Sequence, residues 1–132
     1  MVLYLENETQ LKALQDKFNA LYPFLQLHFI KTFREDGKPL KKIVKGLPEQ
    51  RLKEITGTLV PGMVSIDGNC TVAEVLDNFR AHGVVVQVYR KSGTLWVETS
   101  LTEDWTLERQ NREAYLFSAT EDIISGKLRK IL

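Results

Sequence analysis

The chain of 132 residues is long enough for one hydrophobic core and too short for two ordinary domains. A formal net charge of +1 argues against a protein that coats nucleic acid or an anionic membrane. No apolar run could span a bilayer, the first residues lack the features of a signal peptide, and the only cysteine, Cys70, cannot form an internal disulfide. We therefore expect one cytoplasmic domain over residues 1–132, with no membrane partner and no cofactor.

The first part of the chain predicts a strand, a helix and a second strand. Alternating side chains indicate a strand from Val2 to Leu5. A helix is predicted next, with Asn7 or Thr9 as its N-cap, from the spacing of four apolar residues: Leu11, Leu14, Phe18 and Leu21. Pro23 ends this helix, because the residue before a proline disfavours helical geometry. A second strand is predicted from Leu25 to Phe33, with Gln26 and His28 on the same face.

The stretch 34–62 is the least regular part of the chain and is predicted to be a long linker. Residues 35–39 contain Asp, Gly and Pro and indicate a turn or mobile loop. Pro48 suits the first position of a helix, which predicts about two helical turns ending near Ile55. Pro61-Gly62 precedes a predicted strand over 63–66. A linker of this length in a compact domain is either mobile or functional.

Residues 71–99 predict a helix and a hairpin. Thr71 and Glu74 form a capping box, in which each side chain bonds the other residue's main chain. Gly83 suits the left-handed conformation that commonly follows a helix. Two strands are predicted, over 84–90 and 95–99, around a two-residue turn at Ser92-Gly93.

The two halves resemble each other at a constant offset of 61 residues. The identical pairs are Asp16 with Asp77, Phe18 with Phe79, Ala20 with Ala81, and Gln26 with Gln87. The pattern indicates a duplicated strand–helix–strand unit. We therefore predict an α+β two-layer sandwich with ferredoxin-like duplicated halves, both helices lying on one face of a four- or five-stranded sheet, plus an extra hairpin strand and a C-terminal helix. An ubiquitin-like grasp is the alternative fold.

The C-terminal part predicts a polar helix from about Thr106 to Phe117. Four residues are expected to pack this helix against the domain: Trp105, Leu107, Ala114 and Tyr115. The apolar residues after position 118 lie in a mainly polar context, so residues 119–132 are predicted to fray.

The predicted hairpin places aromatic and charged side chains on the face opposite the core. With a turn at Ser92-Gly93, Tyr89 lies opposite Trp96 on this face. Either the two rings pack across the strands under the C-terminal helix, through Trp105, or they form a binding platform. The candidate binding residues are Gln87, Tyr89, Arg90, Lys91, Trp96, Glu98 and Trp105.

Charge is distributed unevenly along the chain. Residues 31–56 contain eight basic and four acidic residues, and residues 98–122 contain seven acidic and two basic residues. Either these segments are solvated surfaces, or they support head-to-tail association between copies of the chain.

Catalytic and metal-binding patterns are weak. Cys70 precedes a predicted helix, where the helix dipole can lower the pKa of a thiol, and His28 and His82 are the only histidines. A buried, inert cysteine is the favoured interpretation. No glycine-rich phosphate loop occurs, and two histidines and one cysteine at unrelated spacing do not predict a zinc site. We predict no catalytic residues and no metal site.

One block is similar to a known group of proteins. The chain contains RKSG at 90–93, Trp96, VET at 97–99, WTL at 105–107 and QN at 110–111. This order resembles a block in a group of small uncharacterised bacterial proteins. The group has no known activity, so the resemblance implies only that the hairpin and the following helix form one unit.

Taken together, these patterns predict a non-catalytic protein-interaction module, whose partner is another protein or a second copy of the chain. Single-stranded nucleic-acid binding, with Tyr89 and Trp96 stacking on bases, is the alternative. A small-molecule enzyme is the third hypothesis.

Overall fold

The computed structural model describes residues 1–32 and 43–131, with side chains as far as Thr120. It contains both helices and strands, as the predicted α+β class requires. In chain order the elements are β1 (Val2–Leu5), α1 (Leu11–Leu21), β2 (Leu25–Ile30), α2 (Leu52–Ile55), β3 (Gly62–Ser65), α3 (Val72–Ala81), β4 (Val85–Ser92), β5 (Leu95–Glu98), a 3-10 turn (Ser100–Thr102) and α4 (Leu107–Ile131). The predicted turn over 35–39 and the end of the predicted second strand at Phe33 lie outside the described residues.

Helix α3 begins as the sequence predicts, and helix α1 does not. The hydroxyl Oγ1 of Thr71 accepts a hydrogen bond from Glu74 N at 3.1 Å, and the Glu74 carboxylate accepts one from Thr71 N at 3.4 Å. Gly83 follows α3 with φ at +76°, as expected. Helix α1 starts after Gln10, which makes no side-chain cap, so the predicted caps were wrong. The Thr9 hydroxyl instead accepts from Glu6 N in the preceding turn.

The strands form two antiparallel sheets instead of one four- or five-stranded sheet. One sheet pairs β1 with β3, and the other has the order β2–β4–β5. Leu3 lies opposite Val64 in the first sheet, and Leu27 lies opposite Val88 in the second. Both pairs are separated by 61 residues, which is the offset of the sequence repeat.

The core lies between the helices and the inner faces of both sheets. It contains the predicted apolar face of α3 and that of α1 except for Leu21, which is 38% exposed. The rings of Phe29 and Phe79 meet edge to face with centroids 6.0 Å apart. Each such fully buried side chain stabilises the fold by about 1.5–3 kcal/mol. The Tyr22 hydroxyl donates to Ile66 O at 2.6 Å and links the end of α1 to the chain after β3.

Helices begin in pairs that are joined by main-chain hydrogen bonds. Leu11 N donates to Gln50 O and Leu52 N donates to Thr9 O, both at 2.9 Å, which joins the starts of α1 and α2. Val72 N donates to Trp105 O at 3.0 Å and Leu107 N donates to Cys70 O at 2.9 Å, which joins the starts of α3 and α4 in the same way. Helix α2 therefore starts at Leu52, and the prediction that Pro48 opens it was wrong.

The hairpin turn lies one residue later than predicted. Ser92 pairs with Leu95, so the turn residues are Gly93, with φ at +64°, and Thr94. Tyr89 consequently lies opposite Glu98, and Trp96 lies opposite Lys91. Moving the turn by one residue moves each cross-strand partner by two, so every side chain stays on its predicted face.

Helix α4 continues to Ile131 and includes residues 119–131 of the segment that was predicted to fray. Its buried face contains Leu107, Gln110 and Ala114. Tyr115 is 53% exposed, and its ring packs edge to face against the Phe24 ring with centroids 5.5 Å apart. Within the part of the chain that the structure describes, no helix is both long and apolar enough to cross a membrane.

Candidate binding groove

The seven predicted binding residues do not form one surface. Five of them lie on the outer face of the β2–β4–β5 sheet, away from α4: Gln87, Tyr89, Lys91, Trp96 and Glu98. Arg90 and Trp105 lie on the other side, next to α4. The predicted residues therefore divide between the outer face of the sheet and the side that packs against α4.

One interpretation predicted that α4 covers Tyr89 and Trp96 through Trp105. In the structure, α4 packs against the other side of the sheet. Arg90 Nη1 donates to the buried Gln110 Oε1 at 3.1 Å, which holds α4 against the opposite face of the sheet. The guanidinium carbons of Arg90 and Arg109 lie 5.4 and 3.9 Å from the centre of the Trp105 ring. Trp105 thus forms cation–π contacts with two arginines.

The polar residues that follow Trp105 bond the main chain, as the predicted unit of hairpin and helix requires. Gln110 Nε2 donates to Thr102 O at 2.8 Å. Asn111 Oδ1 accepts from Phe24 N at 2.9 Å, immediately before β2. These bonds fix the first turns of α4 against one end of the sheet.

On the outer face, Tyr89 contacts residues from the first half of the chain. The rings of His28 and Tyr89 stack with centroids 4.4 Å apart at an angle of 32°. Lys45 Nζ lies 4.5 Å from the centre of the same Tyr89 ring. His28 Nε2 lies 3.0 Å from Gln26 Oε1, so Gln26 and His28 share this face as predicted.

The environment of His28 favours its neutral form. Burial lowers the pKa of the imidazole below its usual value, and the positive charge of Lys45 lowers that pKa further. Because Gln26 Oε1 can only accept, the neutral ring carries its proton on Nε2 and leaves Nδ1 as a hydrogen-bond acceptor.

A groove of about 470 Å³ lies beside β2, between α1 and the segment 45–48. We call it the β2 groove. Its polar lining is rich in amides and includes one cation and one carboxylate: Gln15, Asp16, Asn19, Gln26, His28 and Lys45. A groove of this size with a few convergent polar groups is typical of ligand sites.

The wall of the β2 groove is a strand edge whose carbonyl groups are bonded mostly by side chains. Asn19 Nδ2 donates to Leu25 O at 2.8 Å, and Gln15 Nε2 donates to Leu27 O at 3.0 Å. A main-chain donor, Gly46 N, reaches this edge only at Phe29 O, at 2.8 Å. Side-chain amides thus hold the part of the edge where a neighbouring strand would otherwise pair.

The candidate catalytic residues lie apart from one another. The half-buried Cys70 has its Sγ 3.7 Å from Ser65 Oγ. His82 Nδ1 lies 2.6 Å from Val60 O at the far end of α3, and His28 lies on the outer face of the sheet. Among the described residues, no three histidine, cysteine, aspartate or glutamate side chains form a group that could hold a metal ion. Among the described residues, Cys70 and the two histidines therefore occupy three separate places in the fold.

Comparisons with protein families, with curated proteins and with solved structures found no match for this chain.

Proposed function

We propose that the protein is a non-catalytic interaction module that binds a segment of a partner protein in the β2 groove. The observation that carries the proposal is the strand edge at Leu25 and Leu27, which is open to a groove of about 470 Å³ and is bonded there by side-chain amides. Amide, imidazole and ammonium groups suit the hydrogen-bonding groups of a peptide.

The proposed binding surface extends from the β2 groove across His28 and Tyr89 to Gln87. Lys91, Trp96 and Glu98 share the outer face and would border the partner. Arg90 and Trp105 are left out of this surface, because Arg90 is bonded to Gln110 and Trp105 contacts two arginines.

We further infer that the chain is a duplicated unit located in the cytoplasm, related to the bacterial group that shares its RKSG block. Three observations support duplication: the offset of 61 in both sheets, the matching bounds of α1 and α3, and the equivalent hydrogen bonds at the starts of the paired helices. The two separate sheets favour duplicated halves without the single ferredoxin-like sheet.

A peptide selection tests the proposed function. Twelve-residue peptides would be selected from a random display library on the full chain, and their affinities measured by calorimetry on the wild type and on two charge reversals. Lys45→Glu alters the groove, and Lys17→Glu alters the opposite side of α1, near Tyr4. We expect Lys45→Glu to weaken binding about tenfold and Lys17→Glu to have less than a twofold effect.

The alternatives give different results in the same assay. Failure to select any peptide, or equal affinity for both variants, would contradict the proposed function. Tight binding of a twelve-nucleotide single strand, with affinity that falls steeply with added salt, would instead support nucleic-acid binding. His28 and Lys45 already contact the Tyr89 ring, which disfavours base stacking there. The third hypothesis, an enzyme, would require turnover of a bound small molecule.

A further inference from the structure

We infer that the β2 groove accepts an extended, acidic peptide as an additional strand on the outer edge of β2. This inference rests on the proposed function and specifies how the partner binds: by main-chain pairing with the strand, with carboxylates near Lys45. Strand addition of this kind obtains affinity from main-chain hydrogen bonds and specificity from the side chains.

In the second half of the chain, the place equivalent to the edge of β2 at Leu27 is the edge of β4 at Val88. Val88, which is opposite Leu27 and 61 residues later, accepts hydrogen bonds from both Thr99 N at 3.2 Å and Thr99 Oγ1 at 2.8 Å. The chain itself therefore runs along the outer edge of β4 at Val88. At Leu27 the donor in the same position is the side-chain amide of Gln15.

The two halves differ in the length of chain between the last residue bonded to the strand edge and the start of the next helix. Gly46, the last residue bonded to the β2 edge, lies six residues before Leu52, the first residue of α2. Thr99, the last residue bonded to the β4 edge, lies eight residues before Leu107, the first residue of α4. The segment beside β2 therefore makes its last bond at Phe29, two residues from Leu27, whereas the segment beside β4 reaches Val88, the equivalent of Leu27.

This difference accounts for the unequal cavities. The space between α3, β4 and the segment 98–103 is only about 20 Å³, whereas the space between α1, β2 and the segment 45–48 is about 470 Å³. Among the residues that the structure describes, extended chain thus fills this place in the second half, and no segment fills it in the first. An extended peptide is the occupant whose shape matches.

A bound peptide would conserve the hydrogen bonds of the edge. Gln15 and Asn19 have flexible side chains and lie on the surface of α1, so rotation about their side-chain torsions would expose the carbonyl groups of Leu25 and Leu27. Each amide donor would then be replaced by a peptide N–H, one for one. The exchange leaves no carbonyl group of the edge unsatisfied.

Charge in the β2 groove favours an acidic peptide. Lys45 places a positive charge at the groove, and burial favours the neutral form of His28 by lowering its pKa. The carboxylate of Asp16 is already paired with Lys12 Nζ at 2.5 Å. Carboxylates on a partner would therefore complement the groove, as opposite charges do across protein interfaces.

The chain provides its own probe for the experiment. Residues 96–104, WVETSLTED, include the segment that fills the equivalent place beside β4, and they carry three carboxylates. This peptide, with blocked termini and a fluorescent label, would be titrated with the full chain by anisotropy. A series of peptides with one N-methylated residue each then tests main-chain pairing.

Strand addition predicts a period of two in the N-methyl series, because alternate N–H groups of a strand face its partner. We expect alternate positions to raise the Kd about tenfold and the intervening positions to change it less than twofold. Lys45→Glu should raise the Kd about tenfold and Lys17→Glu less than twofold.

Each contrary result identifies what is wrong. If library peptides bind the groove but WVETSLTED does not, or if its N-methyl series lacks a period of two, the proposed function stands and strand addition is overturned. Equal affinity of the probe for both charge variants would overturn the acidic specificity. If neither the probe nor any library peptide binds, the proposed function fails together with this inference.

Discussion

Leu27 and Val88 lie directly opposite each other across the β2–β4 pair, yet their outward carbonyl groups are bonded by different kinds of donor. The Leu27 carbonyl accepts from the side chain of Gln15, and the Val88 carbonyl accepts from the main chain and hydroxyl of Thr99. One strand edge is therefore completed by the chain itself, and the other is completed by a replaceable amide. This difference creates the β2 groove.

The starts of α1 and α3 provide a matched pair for measuring a helix cap. We expect Thr71→Ala to lower the free energy of unfolding by about 1 kcal/mol, because it removes the hydroxyl that accepts from Glu74 N. Gln10→Ala, at the equivalent position before α1, should have almost no effect, since Gln10 makes no side-chain cap. Urea unfolding of both variants checks this prediction; equal losses would show that the Thr71 cap adds nothing.

Elements that depend on local patterns could be predicted from the sequence. The apolar spacing predicted α1 and α3 within one or two residues. For α3, the capping box at Thr71 and the left-handed glycine at position 83 also indicated where the helix begins and ends. Pairing between distant strands was harder, because apolar alternation does not specify which strands meet. The prediction consequently merged two sheets into one.

The β2 groove could not be predicted in the same way, because Gln15, Gln26 and Lys45 come from three separate segments. The 61-residue offset aligns Leu27 with Val88, but only the hydrogen bonds of the structure show that the segment beside β2 leaves its edge after Gly46. The buried face of α4 was predicted in part, through Leu107 and Ala114. The side of the sheet on which α4 lies was missed, because a hydrogen bond between Arg90 and the buried Gln110 holds the helix there and apolar spacing does not indicate such a bond.

Gln110 joins α4 to the sheet, and its loss should be costly. Its Oε1 accepts from Arg90, and its Nε2 donates to both the carbonyl and the hydroxyl of Thr102. Gln110→Leu leaves these groups without partners, so we expect a loss of about 2–4 kcal/mol in the free energy of unfolding. Arg112→Ala, an exposed change on the same helix, should stay within about 0.5 kcal/mol. Chemical denaturation compares the two variants, and a Gln110→Leu protein as stable as Arg112→Ala would refute this role.

His28 should make the fold less stable in mild acid. Its pKa is lower in the folded protein than in the unfolded chain, so the unfolded chain binds a proton first as the pH falls below the usual value of 6.5. The contribution of His28 to the free energy of unfolding is therefore constant above pH 6.5. It decreases as the pH falls from 6.5 towards the pKa of His28 in the folded protein. Urea unfolding between pH 7.5 and 5 should show a smaller decrease for His28→Gln than for the wild type. Identical decreases would mean that His28 titrates normally in the folded state.

The pH range of this experiment separates His28 from two carboxylates with shifted pKa values. A hydrogen bond from Lys53 Nζ lowers the pKa of Glu8, and a hydrogen bond from the N-terminal amine lowers that of Asp67. Both groups lose their contribution only as the pH falls below the usual values of 4.5 and 3.8.

Gly46 closes one end of the β2 groove and should not tolerate a larger side chain. A Cβ at this position would lie 2.5 Å from Leu11 Cδ1 and 3.1 Å from Ile55 Cγ2, and both of those side chains are fully buried. Gly46→Ala must therefore displace packed core atoms or move the segment away from Phe29 O, and we expect it to cost about 1–3 kcal/mol. Gly68→Ala is the control, because its Cβ would make only an ordinary contact with Glu108 Cβ at 3.4 Å. Neither glycine has a positive φ, so the comparison isolates packing from backbone strain. Urea unfolding that gave the same midpoint for both variants would show that the segment moves away from Leu11 at no cost.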